Sequence, residues 1–169
     1  EAEQTEALNG LIAERAGDYD VVIVTDFGHG MISSTVIEAI TKNARFLAVS
    51  AQTNAGNQGF NLITKYPRAD YVCIDGSEAR LAVSDKYSDL AVLVSESLPG
   101  RIGCSRIIVT GGIHGCITYD AVKGVSRIPV FTKTVIDTVG AGDAFLAVTS
   151  PLVAAGGDME RVGFIGNAA

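Results

Sequence analysis

The stretch Asp137-Thr138-Val139-Gly140-Ala141-Gly142-Asp143-Ala144-Phe145 places two glycines and an aspartate at the head of an apolar run. It follows a predicted hairpin and opens a predicted helix over residues 141–155, buried on most sides, which Pro151 is expected to kink or end early. Gly140 and Gly142 allow the backbone to approach a ligand closely. Unpaired N–H groups and the helix dipole at such a start suit phosphate oxygens or a developing anion. Asp143, in the first turn, is the natural candidate for a base that takes a proton from a hydroxyl. A tight turn with Asp143 stabilising a helix N-terminus explains the same residues equally well.

Working outward, residues 116–119 and 124–130 read as an antiparallel hairpin turning near Asp120, preceded by a strand over 106–110. Further upstream, residues 88–98 and 76–83 read as helices and 71–74 as a strand. The segment 52–61, rich in asparagine, glutamine and glycine, is too polar for the core and is assigned to a loop, either solvated or using its amides to bind sugar hydroxyls or nucleotide phosphates. Before it come a strand over 46–49 and a helix carrying Val36, Ile37 and Ile40, capped by Ser33 or Ser34. A turn at Asp26-Phe27-Gly28-His29-Gly30, a buried strand over 21–24 and a helix over 4–15 complete the series. Strands alternating with helices predict a largely parallel sheet covered on both faces, an α/β fold.

Composition narrows the function. In 169 residues, 47% hydrophobic, there is material for one core. Thirteen basic against nineteen acidic residues leave a net charge of −6 and no basic cluster, which argues against nucleic acid as a partner. Cys73, Cys104 and Cys116 lack CxxC spacing and read as reduced core residues of a cytoplasmic protein. No apolar run approaches the roughly 20 residues of a membrane span, and residues 1–6 are acidic where a signal peptide would be basic. A Walker loop is absent. A dinucleotide-binding reading of Gly140-Ala141-Gly142 fails because Phe145 stands where the third glycine belongs.

The sequence over 137–145 resembles the C-terminal signature of ribokinase-like (PfkB) carbohydrate kinases, Asp-Thr-x-Gly-Ala-Gly-Asp-x-Phe, at every fixed position. That resemblance implies a three-layer α/β/α sandwich and ATP-dependent phosphoryl transfer to a hydroxyl of a sugar or sugar phosphate. Asp143 would be the base and the backbone of Gly140, Ala141 and Gly142 the anion hole, with Asp137 and Thr138 beside the nucleotide. Val109-Thr110-Gly111-Gly112-Ile113-His114-Gly115 is similar to the family's Val-Thr-x-Gly-x-x-Gly segment, implying nucleotide contacts at Thr110, Gly112 and Gly115. Asp75-Gly76-Ser77-Glu78 resembles its Asn-x-x-Glu motif, which helps place Mg2+ and phosphate, with Asp75 replacing asparagine. Glu78 is the firmer assignment, and Asp75 serves equally well as a helix cap. Asn167 resembles an asparagine bordering the adenine pocket, although its small neighbours suit helix packing as well.

Asp26-Phe27-Gly28-His29-Gly30 is similar to the Asp-Tyr-Gly-Lys-Gly segment of heptose-phosphate kinases, which implies substrate contacts at Asp26, Gly28 and His29. Histidine in place of lysine weakens the case for a phosphorylated sugar. The resemblance runs through nearly the whole chain but only through the family's C-terminal half. Residues 1–169 are therefore expected to be part of one kinase domain, without the sugar-binding and lid portion, and inactive alone. It leaves room for a homodimer and for a nucleotidyltransferase domain fused in the full-length protein. The competing reading is a kinase-like module that binds nucleotide or a partner without catalysis.

Overall fold

Alternation along the strands determines which helices cover which face. The computed structural model describes residues 2–131 and 139–169. Strands β1 (Val22–Asp26), β2 (Leu47–Ala51), β3 (Tyr71–Asp75), β4 (Arg106–Thr110), β5 (Cys116–Asp120) and β6 (Gly124–Ile128) lie in chain order across one sheet. β1 through β4 run parallel, while β5 is antiparallel to both β4 and β6. Val49, Val72, Ile74, Ile107 and Val109 enter one core, and Ala48, Tyr71, Cys73 and Ile108 enter the other. This is the period of two that a pleated strand imposes. With helices on both sides, β2 is buried at every position, which is why it reads as a continuous apolar run.

On the first face, α1 (Ala2–Arg15) packs Leu8 and Ile12 against the core that α2 (Ser34–Asn43) and α3 (Gly76–Val83) fill. Of the two candidate caps for α2, Ser33 is the one used, its Oγ accepting from the Val36 amide. The helical path then runs through α4 (Leu90–Val92), a π turn (Leu93–Ser97) and α5 (Leu98–Ile102), four residues beyond the expected end at 98. Pro99 comes just after the π turn, and the fully buried Leu98 and Ile102 hold the extra turn in place.

The second face is covered by α6 (Ala141–Ala154) and α7 (Met159–Ala168). Pro151 neither stops α6 at once nor leaves it long: the helix continues three residues to Ala154. The carbonyl deprived of a partner belongs to Ala147, which is exposed. All three cysteines are free and buried, and burial pushes Cys73 up to about 12 and Cys104 and Cys116 each up to about 11. Among the described residues no helix is long and apolar enough to cross a membrane.

One buried polar contact fastens α6 to the sheet. Tyr71 of β3 is wholly buried, and its hydroxyl lies 2.8 Å from Thr149 Oγ1, which also donates to the Phe145 carbonyl at 2.7 Å. Burial raises the Tyr71 pKa well above its ordinary value, so the phenol remains a donor. Thr149→Val would take that acceptor away from a wholly buried hydroxyl. It is expected to cost about 1–3 kcal/mol in urea unfolding. Tyr71→Phe should cost less, because Thr149 keeps its own acceptor in Phe145.

Candidate functional site

The parallel strands deliver their last residues to a single edge. β1 ends at Asp26 beside Ala51, β2 hands over to Gln52, and β3 ends at Asp75 beside Thr110. Cys116 pairs with both Thr110 and Ile128, so the hairpin brings the end of β6 to the same edge. Open α/β sheets bind ligands outside the carboxyl ends of their strands.

α6 starts at this edge. Its N-cap is Gly140, with φ 78° and no side-chain cap bond. A Cβ built on Gly140 or Gly142 would meet nothing within 4 Å, and Ala141 and Gly142 are exposed. A helix start of this kind offers its first-turn amides beside open space. Asp143, partly buried in that turn, accepts from Gln52 Nε2 at 2.9 Å through Oδ1. Asp137 and Thr138, the remaining candidates of this stretch, lie outside the described residues.

Asp75 and Glu78 form a reciprocal capping box. Asp75 Oδ1 accepts from the Glu78 amide and Glu78 Oε2 from the Asp75 amide, each at 2.8 Å. Glu78 Oε1 accepts in addition from the Thr53 amide at 2.8 Å. Burial raises the Glu78 pKa, and Asp75 adds to the rise, against the two amide bonds that lower it. Thr53 Oγ1 is buried without a hydrogen-bond partner among the described residues, an unmet polar group next to this carboxylate. No group of three or more His, Cys, Asp or Glu side chains gathered as for a metal ion occurs among the described residues. A magnesium here would therefore rest on one or two carboxylates, waters and phosphate oxygens, which suits its reluctance to dehydrate.

Thr110 Oγ1 reaches back to the Ile74 carbonyl at 3.5 Å, and Gly112 is exposed with open space around it. Gly115 has a structural reason to be glycine: at φ 80°, a Cβ would lie 2.0 Å from the Ile128 carbonyl oxygen. Asn167 donates to the carbonyls of Ile128 and Pro129 at 3.2 and 3.1 Å, tying α7 to the end of the hairpin.

The segment 52–61 is the loop its composition predicts, exposed at 54–56 and 58–60, but its own side-chain amides pin it to the end of β1. Asn54 and Asn57 both donate to the Phe27 carbonyl. Asn61 is buried and donates to the carbonyls of Asp26 and Gln52. Gly28, at φ 70°, lies so close beneath that a Cβ would come 2.2 Å from Asn57 Nδ2. His29 is exposed and stacks on Phe27 with ring centres 6.2 Å apart.

Asp26 lies under this loop, only 2% exposed. Its Oδ2 accepts from Tyr66 at 2.6 Å and pairs with Lys65 at 2.5 Å, and Oδ1 accepts from the Gly28 amide at 2.9 Å. Lys65, Tyr66 and Asn61 escaped sequence reasoning. Lys65-Tyr66, following an amide-rich loop, was the available signal, but a partner some 40 residues upstream leaves no local pattern.

Burial alone would raise the Asp26 pKa, but the bonds from Lys65, Tyr66 and Gly28 bring it below the ordinary 3.8. A depressed carboxylate contributes stability that is complete above the unfolded-state value and is lost as pH falls through the folded one. Asp26→Asn is expected to cost about 3 kcal/mol near neutrality by leaving Lys65 without its counter-charge. Denaturant titrations between about pH 5 and pH 2 should show the wild type losing this advantage, so that the two proteins converge on acidification.

Comparison with known proteins bears on the family and the fold. The chain is 28% identical over 165 residues to "Bifunctional protein HldE" of Citrifermentans bemidjiense, covering 94% of this chain and 32% of that protein. It thus spans about a third of the length of such curated relatives. Phosphofructokinase-2 from Escherichia coli in complex with potassium superposes with a TM-score of 0.80 at 15% identity, over 98% of this chain and 53% of that one. Arabidopsis thaliana ribokinase, complexed with ribose and ATP, does so with a TM-score of 0.69 at 15% identity, over 93% and 50%. These distant likenesses show a ribokinase-type fold. Residues 33–169 match the pfkB family carbohydrate kinases, and the chain belongs to that family.

Proposed function

We propose that this chain is the nucleotide-binding and proton-accepting portion of an ATP-dependent phosphotransferase acting on a hydroxyl of a sugar or sugar phosphate. The observation that carries the reading is Asp143 in the first turn of a helix that starts on Gly140, at the edge where the strands end. The acceptor oxygen attacks the γ-phosphorus and forms an O–P bond. The bond to the bridging oxygen breaks, its electron pair leaves with ADP, and the hydroxyl proton passes to Asp143. The amides of Gly140, Ala141 and Gly142 would receive the charge on the transferred group.

Asp137, Thr138, Thr110, Gly112 and Gly115 would line the nucleotide, with Asn167 holding the hairpin end beside it. Asp75 and Glu78 would hold magnesium through its waters; when bound, the ion neutralises phosphate charge. Asp26 and Gly28 act through the amide loop that they support, and exposed His29 is the one of the three open to a substrate. A cytoplasmic enzyme with a fused nucleotidyltransferase domain fits the relatives' printed description as bifunctional.

The test is phosphoryl transfer by the full-length protein with ATP and magnesium, offering ribose, fructose 6-phosphate and a heptose phosphate in turn. Asp143→Asn should lower kcat about a thousandfold while calorimetry shows ATP affinity retained. Unchanged function in that variant would instead identify a kinase-like binding module.

A further inference from the structure

The base and the metal-side carboxylate are held by two consecutive residues. Gln52 Nε2 donates to Asp143 Oδ1 at 2.9 Å, and the amide of Thr53 donates to Glu78 Oε1 at 2.8 Å. Asp143 and Glu78 belong to different helices on opposite faces of the sheet, and the end of β2 is what they share. The dipeptide itself has little freedom. Gln52 N–H donates to the Asp26 carbonyl at 2.8 Å, and the Gln52 carbonyl accepts from Asn61 at 3.0 Å. Asn61 is in turn fixed by Lys65, which bonds its Oδ1 at 2.6 Å, and by the Asp26 carbonyl.

We infer that Gln52 is a positioning residue for the reaction: its side-chain amide holds the Asp143 carboxylate in the orientation in which it takes the proton. The inference rests on the phosphotransferase reading above. A carboxylate at the start of a helix has free rotation about its side-chain bonds, and proton transfer needs an acceptor oxygen within hydrogen-bond reach of the hydroxyl. Binding one oxygen to a donor on a rigid backbone leaves the other to face the substrate. Glutamine suits this place because its neutral amide donates. A glutamate of the same shape could only accept, and would set a second negative charge against Asp143.

The experiment uses the full-length protein with ATP, magnesium and whichever of ribose, fructose 6-phosphate and heptose phosphate it phosphorylates. Gln52→Met removes the donor at similar volume, and Gln52→Glu replaces it with an acceptor. Gln52→Met should lower kcat about tenfold and Gln52→Glu further, with KM for ATP within about twofold of wild type and the melting temperature preserved. Because Gln52 acts through Asp143, adding Gln52→Met to Asp143→Asn should cause no further loss of the residual rate.

The inference is overturned if Gln52→Met keeps wild-type kcat, or if the two losses multiply in the double variant. It is equally overturned if kcat, ATP binding and melting temperature fall together, since that marks a scaffold role alone. A wild type that phosphorylates none of the three acceptors overturns the kinase reading itself, and this inference with it.

Discussion

Taking a carboxylate out of water costs several kcal/mol unless donors replace the solvent, and at Asp26 those donors come from far along the chain. Lys65 and Tyr66 lie at the end of a short helical turn, Ile63–Lys65, with Ile63 and Tyr66 anchored in the core. To bring them over the end of β1, the chain leaving β2 must fold back, and residues 52–61 form that return. Asn61 then bonds the Gln52 carbonyl, and Gln52 bonds Asp143. A buried charge at one strand end thus fixes the course of a loop, and the loop fixes the side chain that touches α6.

Three carboxylates at this edge have been given different surroundings. Asp26 has a cation, a phenol and an amide, and its pKa is lowered. Glu78 has two backbone amides, and burial raises its pKa. Asp143 accepts from the neutral amide of Gln52 and stands in a half-open place. The first arrangement is that of a structural anchor; under the phosphotransferase reading proposed above, the second would face a cation and the third the acceptor hydroxyl.

The sheet was legible in the sequence because burial on both faces writes itself into consecutive apolar residues, as at 46–49 and 71–74. The family was legible because nine residues, 137–145, combine glycines and aspartates in one order. The order of the 52–61 loop was not, because it comes from side-chain amides bonding backbone carbonyls about thirty residues away, as Asn57 does with Phe27. Periodicity has nothing to detect there. The extra turn at 98–102 was hidden for a different reason: Pro99-Gly100 reads locally as a breaker, while Leu98 and Ile102 are buried by contacts from distant elements.

The cysteines leave the surface chemically quiet. Cys73, Cys104 and Cys116 are each buried, with pKa values near 12, 11 and 11, so at neutral pH they present almost no thiolate to reagents in solution. A single cysteine introduced at an exposed position, such as Val122 at the hairpin tip or His29 beside the amide loop, would be alkylated selectively in the native protein. Fluorophores or spin labels can therefore report on the two ends of the sheet without first removing any native sulfur.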